Sequence, residues 1–246
     1  MFSSIFNTIL YIPILNIFIS IYNIIPDLGV VIIIVTLLLK FALYPTTAKS
    51  IKAQKSMTDI QPELEKVKEK HKGNQQMIAQ ETMALYKKHK VNPLGSCLPL
   101  LIQIPVFLAL YWVLRDGIAE SNFDKLYSFV QAPEHLNTMF LGYFDLAKPQ
   151  IFIAVLAAAS QYFQSKMFLS QKKKDPNKKE EDNMMSNMGK QMTIMMPMIT
   201  LIIGTQLPGG LLLYWLFSTL FTIGQQKYLF AKQESKTGVI EGTIID

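Results

Sequence analysis

Residues 28–47 read LGVVIIIVTLLLKFALYPTT, a run of mostly apolar residues that a single charge, Lys40, interrupts. As one helix, this run is long enough to cross a bilayer. A lysine near the centre of a spanning helix costs about 2.5–3.5 kcal/mol on insertion scales, so it normally faces protein or water. Thr36, Tyr44 and Thr47 lie at −4, +4 and +7 from Lys40, on the same helical face. The run therefore predicts a first membrane span with a wet, polar face.

An alternative interpretation is that Lys40 extends its ammonium group to the cytosolic headgroups. The ammonium would have to climb roughly 10 Å of helix to reach the level of Thr47, at about 1.5 Å per residue. Because this exceeds a comfortable reach, the sequence favours a functional lysine inside a groove.

The composition is typical of a membrane protein. Half of the residues are hydrophobic and the formal net charge is +6. The lysines flank the apolar runs, which favours membrane orientation and contact with lipid over direct binding of nucleic acid. Cys97 is the one cysteine, so no disulfide forms within the chain. The three histidines are scattered without ligand spacing, so no metal or cofactor is expected.

The predicted fold class is an all-α polytopic membrane protein with a five-span helical core and a polar groove. Residues 2–25 are apolar but carry Pro13 and a polar stripe of Asn16, Ser20 and Asn23, which favours an interfacial helix over a sixth span. No lysine or arginine precedes this stretch, so it is not expected to be a cleavable signal. The predicted segments are an interfacial amphipathic helix (1–26), span 1 (27–47), a cytosolic helical hairpin (48–92), span 2 (93–114), an extracytoplasmic segment (115–148), span 3 (149–169), a cytosolic loop (170–190), span 4 (191–206), a turn with span 5 (207–230) and a cytosolic tail (231–246).

The hairpin is predicted from an apolar seam with 3-4-3 spacing, as in a short coiled coil. The seam consists of Met57, Ile60, Leu64 and Val67. A turn at 71–74 leads to a second helix, where Ile78 and Leu85 continue the seam. Met77 and Met83 are predicted contact residues of the hairpin, because methionine surfaces adapt to varied apolar partners.

Lysine placement predicts the orientation. The hairpin and the 170–190 loop together hold sixteen lysines, whereas residues 115–148 hold one arginine and two lysines. The positive-inside rule therefore places the hairpin, the loop and the C-terminus in the cytosol and the N-terminus outside. The expected location is a membrane that borders the cytosol.

Polar side chains recur on one face of each predicted span. Such groups can simply hold helices together, at about 0.6 kcal/mol each. The whole set is better explained by a hydrated groove, because it includes a cation and the five apolar runs, the first counted from Leu28, contain no Asp or Glu. The missing carboxylates also argue against ion-coupled transport. The predicted groove residues are Lys40, Thr36, Tyr44, Gln103, Gln161, Gln164, Tyr214, Trp215, Ser218 and Thr222.

The run KVNPLGSCLPLLIQIPVFLALY, residues 90–111, closely resembles the second core span of the YidC/Oxa/Alb membrane-protein insertases. Residues 36–45 and 207–226 look like the first and last core spans, and the resemblance covers roughly residues 10–232. It implies five core spans around a groove open to cytosol and lipid, an interfacial helix and a cytosolic hairpin. The positions of Thr36, Gln103, Gln164, Tyr214 and Trp215 match positions that line or border the family's groove.

The resemblance implies insertion and chaperoning of membrane proteins, with nascent membrane-protein clients and the lipid bilayer as partners. It leaves the Sec translocon and the ribosome open as partners, although the short tail does not support ribosome attachment through a long basic extension. A monomer is compatible with the sequence. Bacterial members usually have arginine at the position of Lys40; lysine keeps the charge but can lose its proton when buried.

The sequence also bears on three other function classes. A small-solute transporter or channel is the main alternative and predicts inverted repeats, but no convincing internal repeat occurs. A scaffold that only tethers partners would leave Lys40 without a role. An enzyme is not expected, because the spans contain no nucleophile–base pair and no carboxylate pair.

Overall fold

The computed structural model describes residues 2–118, 123–170 and 184–241, and these residues are mostly helical. The only strands among them form one short antiparallel pair, in which Phe140 lies opposite Phe144. The elements are α1 (Phe2–Phe6), a π-helical turn (Asn7–Tyr11), α2 (Ile12–Tyr22), α3 (Leu28–Ala42), α4 (Tyr44–Asp59), α5 (Gln61–Lys70), α6 (Gln75–Lys88), α7 (Pro93–Ile118), a 3-10 turn (Phe123–Lys125), β1 (Met139–Phe140), β2 (Phe144–Asp145), α8 (Ile151–Ser170), α9 (Met184–Gly204) and α10 (Gly209–Glu241).

The chain divides into two compact units, and each is described by itself below. Unit 1 contains the N-terminal helices and the segments around the β-hairpin. Unit 2 contains the helical hairpin of α5 and α6. Unit 1 consists of Met1–Leu43, Leu100–Tyr162 and Met195–Phe221, and unit 2 of Tyr44–Pro99, Phe163–Ile194 and Thr222–Asp246.

Unit 1 is built around an apolar core to which α2, α3, α7 and α10 contribute. Leu15, Val31, Leu110 and Leu211 are among its fully buried side chains. Helix α3 begins after Asp27, whose carboxylate accepts a hydrogen bond from the backbone N–H of Val30 at 3.0 Å, a favoured N-cap arrangement.

Two residues of the polar stripe, Asn16 and Asn23, bond to the backbone of the segment that follows α7. Asn16 is only 2% exposed; its amide donates to the carbonyl of Lys125 at 3.3 Å and its side-chain oxygen accepts from the N–H of Tyr127 at 2.6 Å. Asn23 donates to the carbonyl of Gln131 at 2.9 Å. These side chains therefore hydrogen-bond backbone groups of the segment that follows α7. The prediction of an interfacial helix did not include this role. The interfacial position of this helix stays a prediction.

The run 28–47 is not one helix. Helix α3 ends at Ala42, and the chain bends by 69° before it continues as α4. The bend has a local cause, because Pro45 cannot donate to the carbonyl four residues earlier and its ring disfavours helical geometry in the residue before it. Helical spacing from Lys40 therefore does not run through to Tyr44 and Thr47, which lie beyond the bend.

The helical hairpin of unit 2 packs along part of the predicted seam. Ile60, Leu64 and Leu85 form a small buried core, against which Met57 packs. The seam is not carried by one continuous helix: α4 ends at Asp59 and α5 starts again at Gln61, where Pro62 in the first turn is tolerated as a helix start.

Several helices extend past the predicted segment limits. Helix α7 continues to Ile118, α9 starts at Met184 and α10 continues to Glu241. Residues 171–183 of the predicted 170–190 loop lie outside the described residues. By length and hydropathy, the described ranges contain one continuous helix that could cross a membrane, Ser4–Tyr22, and one bent pair, α3 with α4. The five-span division stays a prediction.

Candidate functional site

Lys40 lies in the last turn of α3 and is partly buried. A cation at this end of a helix interacts favourably with the partial negative charge of the terminal carbonyl groups. Thr36, one turn earlier, is fully buried, and its hydroxyl donates to the carbonyl of Ile32 in the same helix at 2.6 Å. Of these two predicted groove residues, the accessible one is therefore Lys40, while the Thr36 hydroxyl is satisfied within its own helix.

The structure brings three predicted groove residues of unit 1 together around one hydroxyl. The amide of Gln103 on α7 donates to the hydroxyl of Tyr214 on α10. Ser218, one turn further along α10, lies close enough to that hydroxyl to interact with it electrostatically. Tyr214 is only 2% exposed. This buried network joins α7 to α10 and orients the amide of Gln103.

An aromatic group flanks this network. The ring of Phe107 meets Trp215 edge-on, with centroids 5.9 Å apart, and lies 6.3 Å from the ring of Tyr214. Trp215 is partly exposed. Aromatic pairs of this geometry add about 0.5–1.5 kcal/mol beyond the area that they bury, so they hold the network in place.

A second polar pair of unit 1 joins α8 to α9. The hydroxyl of Thr200, which is buried, donates to the side-chain oxygen of the predicted groove residue Gln161 at 2.5 Å. Thr200 is not among the predicted groove residues, although it was readable as a polar residue within predicted span 4.

In unit 2, Tyr44 takes part through its backbone. The buried Gln225 amide donates to the Thr47 hydroxyl at 2.9 Å and to the Tyr44 carbonyl at 3.3 Å. The Thr47 hydroxyl also donates to the Tyr44 carbonyl, at 3.1 Å, so Gln225 joins α10 to the first turn of α4. The other predicted groove residues of this unit, Gln164 and Thr222, are partly exposed.

Asp116, a buried acid of unit 1, is not among the residues predicted from the sequence. Asp116, 6% exposed, accepts a hydrogen bond from the hydroxyl of Tyr11 at 2.8 Å and pairs with Arg115 at 3.0 Å. The two partners Tyr11 and Asp116 are 105 positions apart, so no local pattern connects them. This bond fixes the N-terminal helix to the end of α7.

The hairpin is closed at both ends by histidine–glutamate pairs. His71 lies 2.9 Å from Glu81, and His89 lies 3.0 Å from Glu63. The hydrogen bond with His89 lowers the pKa of Glu63 below its usual value. The predicted contact residues Met77 and Met83 are both exposed on α6. In the described part of the chain, no three His, Cys, Asp or Glu side chains are grouped as metal ligands.

Taken together, the structure describes a mostly helical protein whose apolar helices are joined by buried polar pairs, which is typical of helical membrane proteins. The chain belongs to the family described as 60Kd inner membrane protein, whose model matches residues 20–236. This confirms the resemblance to the YidC/Oxa/Alb family.

Several curated relatives carry the name Membrane protein insertase YidC. The chain is 36% identical to the one from Fusobacterium nucleatum over 206 residues, which is 84% of this chain and 87% of the relative. It is 38% identical to the one from Clostridium tetani over 199 residues, 80% of this chain and 79% of the relative. The relative from Pelobacter propionicus is 36% identical over 211 residues, but the chain spans only 36% of its length. The chain thus matches most of the shorter relatives and about a third of the longer ones.

Proposed function

We propose that the chain is an insertase and chaperone for membrane proteins in the bacterial inner membrane. It captures a segment of a client in a positively charged, hydrophilic groove and releases it sideways into the bilayer. Two relatives that are named as insertases, and that this chain matches over most of their length, support this function. The single observation that carries the mechanism is Lys40, a partly buried cation at the end of the apolar helix α3.

The proposed role of Lys40 is to attract the acidic leading part of a client. Two opposite charges 4 Å apart interact by about 1 kcal/mol in water and about 4 kcal/mol at the effective dielectric constant near a protein surface. A cation in a partly desolvated groove therefore attracts an acidic segment more strongly than a lysine in the cytosol does. A hydrated wall lowers the cost of bringing polar backbone below the headgroups, where an unsatisfied group costs several kcal/mol.

The remaining groove residues contribute walls in this proposal. The hydrogen bonds of Gln103 with Tyr214 and of Gln161 with Thr200 hold neighbouring helices together. Polar atoms that these bonds do not occupy can contact a client. Release into lipid then follows from the client's own partitioning, so the protein needs no hydrolytic step. Five spans with the N-terminus outside and the C-terminus in the cytosol complete the arrangement, and the Sec translocon is proposed as an optional partner.

The experiment that tests this function is reconstitution of the purified full chain into liposomes with a small, acidic-headed, single-span client. Protease protection measures insertion. We expect insertion above empty liposomes, retained in Lys40→Arg and reduced about fivefold in Lys40→Ala, equivalent to about 1 kcal/mol of lost attraction. Lys72→Ala is the control, because Lys72 is an exposed lysine in the hairpin turn.

Two outcomes would contradict the proposal at different levels. Insertion by the wild type no better than by empty liposomes would remove the claim of insertion without Sec. Insertion by the wild type that Lys40→Ala does not reduce would leave the function standing and remove the groove charge from its mechanism.

A further inference from the structure

A small cavity lies where the helical hairpin returns to α7. It has a volume of about 260 Å³ and is lined by Met83, Tyr86, Lys87, Lys90, Val91 and Asn92. Small-molecule sites usually occupy about 300–1,000 Å³, so this cavity suits one side chain of a protein better than a free metabolite. Met83, Tyr86 and Val91 supply the apolar side of this cavity, named the floor below. Met83 is 55% exposed, so the floor is accessible.

Two lysines form the rim of this cavity. In the part of the chain that the structure describes, neither Lys87 nor Lys90 pairs with a carboxylate, whereas their neighbour Lys88 lies 3.9 Å from Glu63. The rim is thus positively charged and the floor is apolar. Its complement is an acidic group next to a bulky apolar one.

Lys90, at the rim, has a backbone conformation that residues other than glycine rarely adopt. Lys90 follows the end of α6 with φ +53°, the left-handed region in which glycine is favoured. The N–H of Val91 reaches the carbonyl of Tyr86 at 2.9 Å and the N–H of Lys90 reaches that of Lys87 at 3.2 Å, the hydrogen bonds of a Schellman helix end. Glycine would fit this turn without strain, so the helix end does not explain the lysine.

We propose that this cavity is a docking subsite for a client segment in which an acidic residue adjoins a large apolar residue. The carboxylate lies between Lys87 and Lys90, and the apolar side chain enters the floor formed by Met83, Tyr86 and Val91. An anionic lipid headgroup would match the rim but not the floor, and a long acyl chain is larger than a cavity of about 260 Å³, so the structure favours a peptide. The inference rests on the proposed insertase function and adds a first contact on the hairpin, before Lys40.

The test measures binding of a short fluorescent peptide containing adjacent Asp and Leu to the full chain in nanodiscs of zwitterionic lipid. Peptides with Asn–Leu and Asp–Ser in place of Asp–Leu separate the two halves of the site. We expect Lys90→Gly to weaken binding of the Asp–Leu peptide roughly two- to fivefold, the range for one exposed ion pair. Met83→Ser should weaken it about threefold or more, because part of the floor is lost.

The controls separate charge from folding. Lys90→Gly relieves the left-handed strain, so thermal unfolding should show a hairpin as stable as the wild type or more stable, and weaker binding then cannot be ascribed to misfolding. Lys72→Ser removes an equal charge from the hairpin turn and should bind as the wild type does. The Asn–Leu peptide should be insensitive to Lys90→Gly.

Three results would overturn the inference. The first is that the wild type binds no peptide, and the second is that the wild type and both cavity variants bind it equally. The third is a Lys90→Gly effect that appears only when anionic phosphatidylglycerol is added, since lipid would then be the occupant. The liposome assay keeps the two proposals distinct. Insertion by wild type with unaffected peptide binding in the variants defeats the docking subsite alone, whereas variant-sensitive binding without insertion defeats the insertase function alone.

Discussion

The hydroxyl of Tyr214 offers the sharpest test of how polar groups are used between the helices. Tyr214→Phe keeps the aromatic ring, so the contact with Phe107 at 6.3 Å remains. It removes the oxygen to which Gln103 donates. The change is therefore confined to one hydrogen-bonded atom in a side chain that is almost fully buried.

The magnitude depends on whether water reaches this hydroxyl. A buried donor left without a partner costs about 1–3 kcal/mol, while hydrogen bonds between membrane helices average about 0.6 kcal/mol and reach about 1.7 kcal/mol. Gln103 is only partly buried, so it can recover part of the loss. We therefore expect Tyr214→Phe to lower the free energy of unfolding by about 1 kcal/mol. If water filled the vacated position, the loss would fall to a few tenths.

The assay is equilibrium unfolding in mixed micelles, followed by tryptophan fluorescence, since Trp215 adjoins the network. Tyr11→Phe is the matched control, because Tyr11 donates to the buried carboxylate of Asp116. A hydrogen bond to a charged group is worth about 1.5–3 kcal/mol, so this variant should lose about 2 kcal/mol. A Tyr214→Phe protein as stable as the wild type, in an assay that resolves the loss in Tyr11→Phe, would refute the reasoning that the network is dry.

Two further predictions concern packing and pH. In thermal unfolding, Gly29→Ala should destabilise the chain by about 1–3 kcal/mol, because a Cβ there would clash with the ring of Phe140 and overpack the core. Gly224 lies in open space on α10, so Gly224→Ala should be neutral or stabilising by up to about 1 kcal/mol. The pKa of Glu63 is lowered in the folded chain by its hydrogen bond with His89. The stability that this carboxylate contributes is therefore present above its unfolded pKa and is lost as the pH falls through the lower folded pKa. Hydrogen exchange of the hairpin should show this loss in acid, and Glu63→Gln should abolish the pH dependence that comes from this group.

The sequence predicted the helical class because long apolar runs and a 3-4-3 seam are local patterns. Ile60 and Leu64 do pack with Leu85 in the hairpin. The bend before Pro45 was missed because hydropathy counted the run 28–47 as continuous, although the proline was a readable signal of a helix boundary.

The site was only partly accessible to sequence reasoning. Stripes along single helices identified Gln103, Tyr214 and Ser218 separately, and the structure joins them in one network. Spacing could not show that the hydroxyl of Thr36 bonds to its own helix. The bond between Tyr11 and Asp116 was also out of reach, because tertiary packing alone brings together residues so distant in the chain.

Charge reversal at Lys40 tests the central claim most directly. Wild type and Lys40→Glu would be reconstituted in parallel, each with two single-span clients that differ only in an acidic or a lysine-bearing leading segment, and insertion would be scored by protease protection. A groove that captures clients through charge predicts that the wild type prefers the acidic client and that Lys40→Glu prefers the lysine-bearing one. The same client preference in both proteins would contradict the account, because the charge at Lys40 would then play no part in capture.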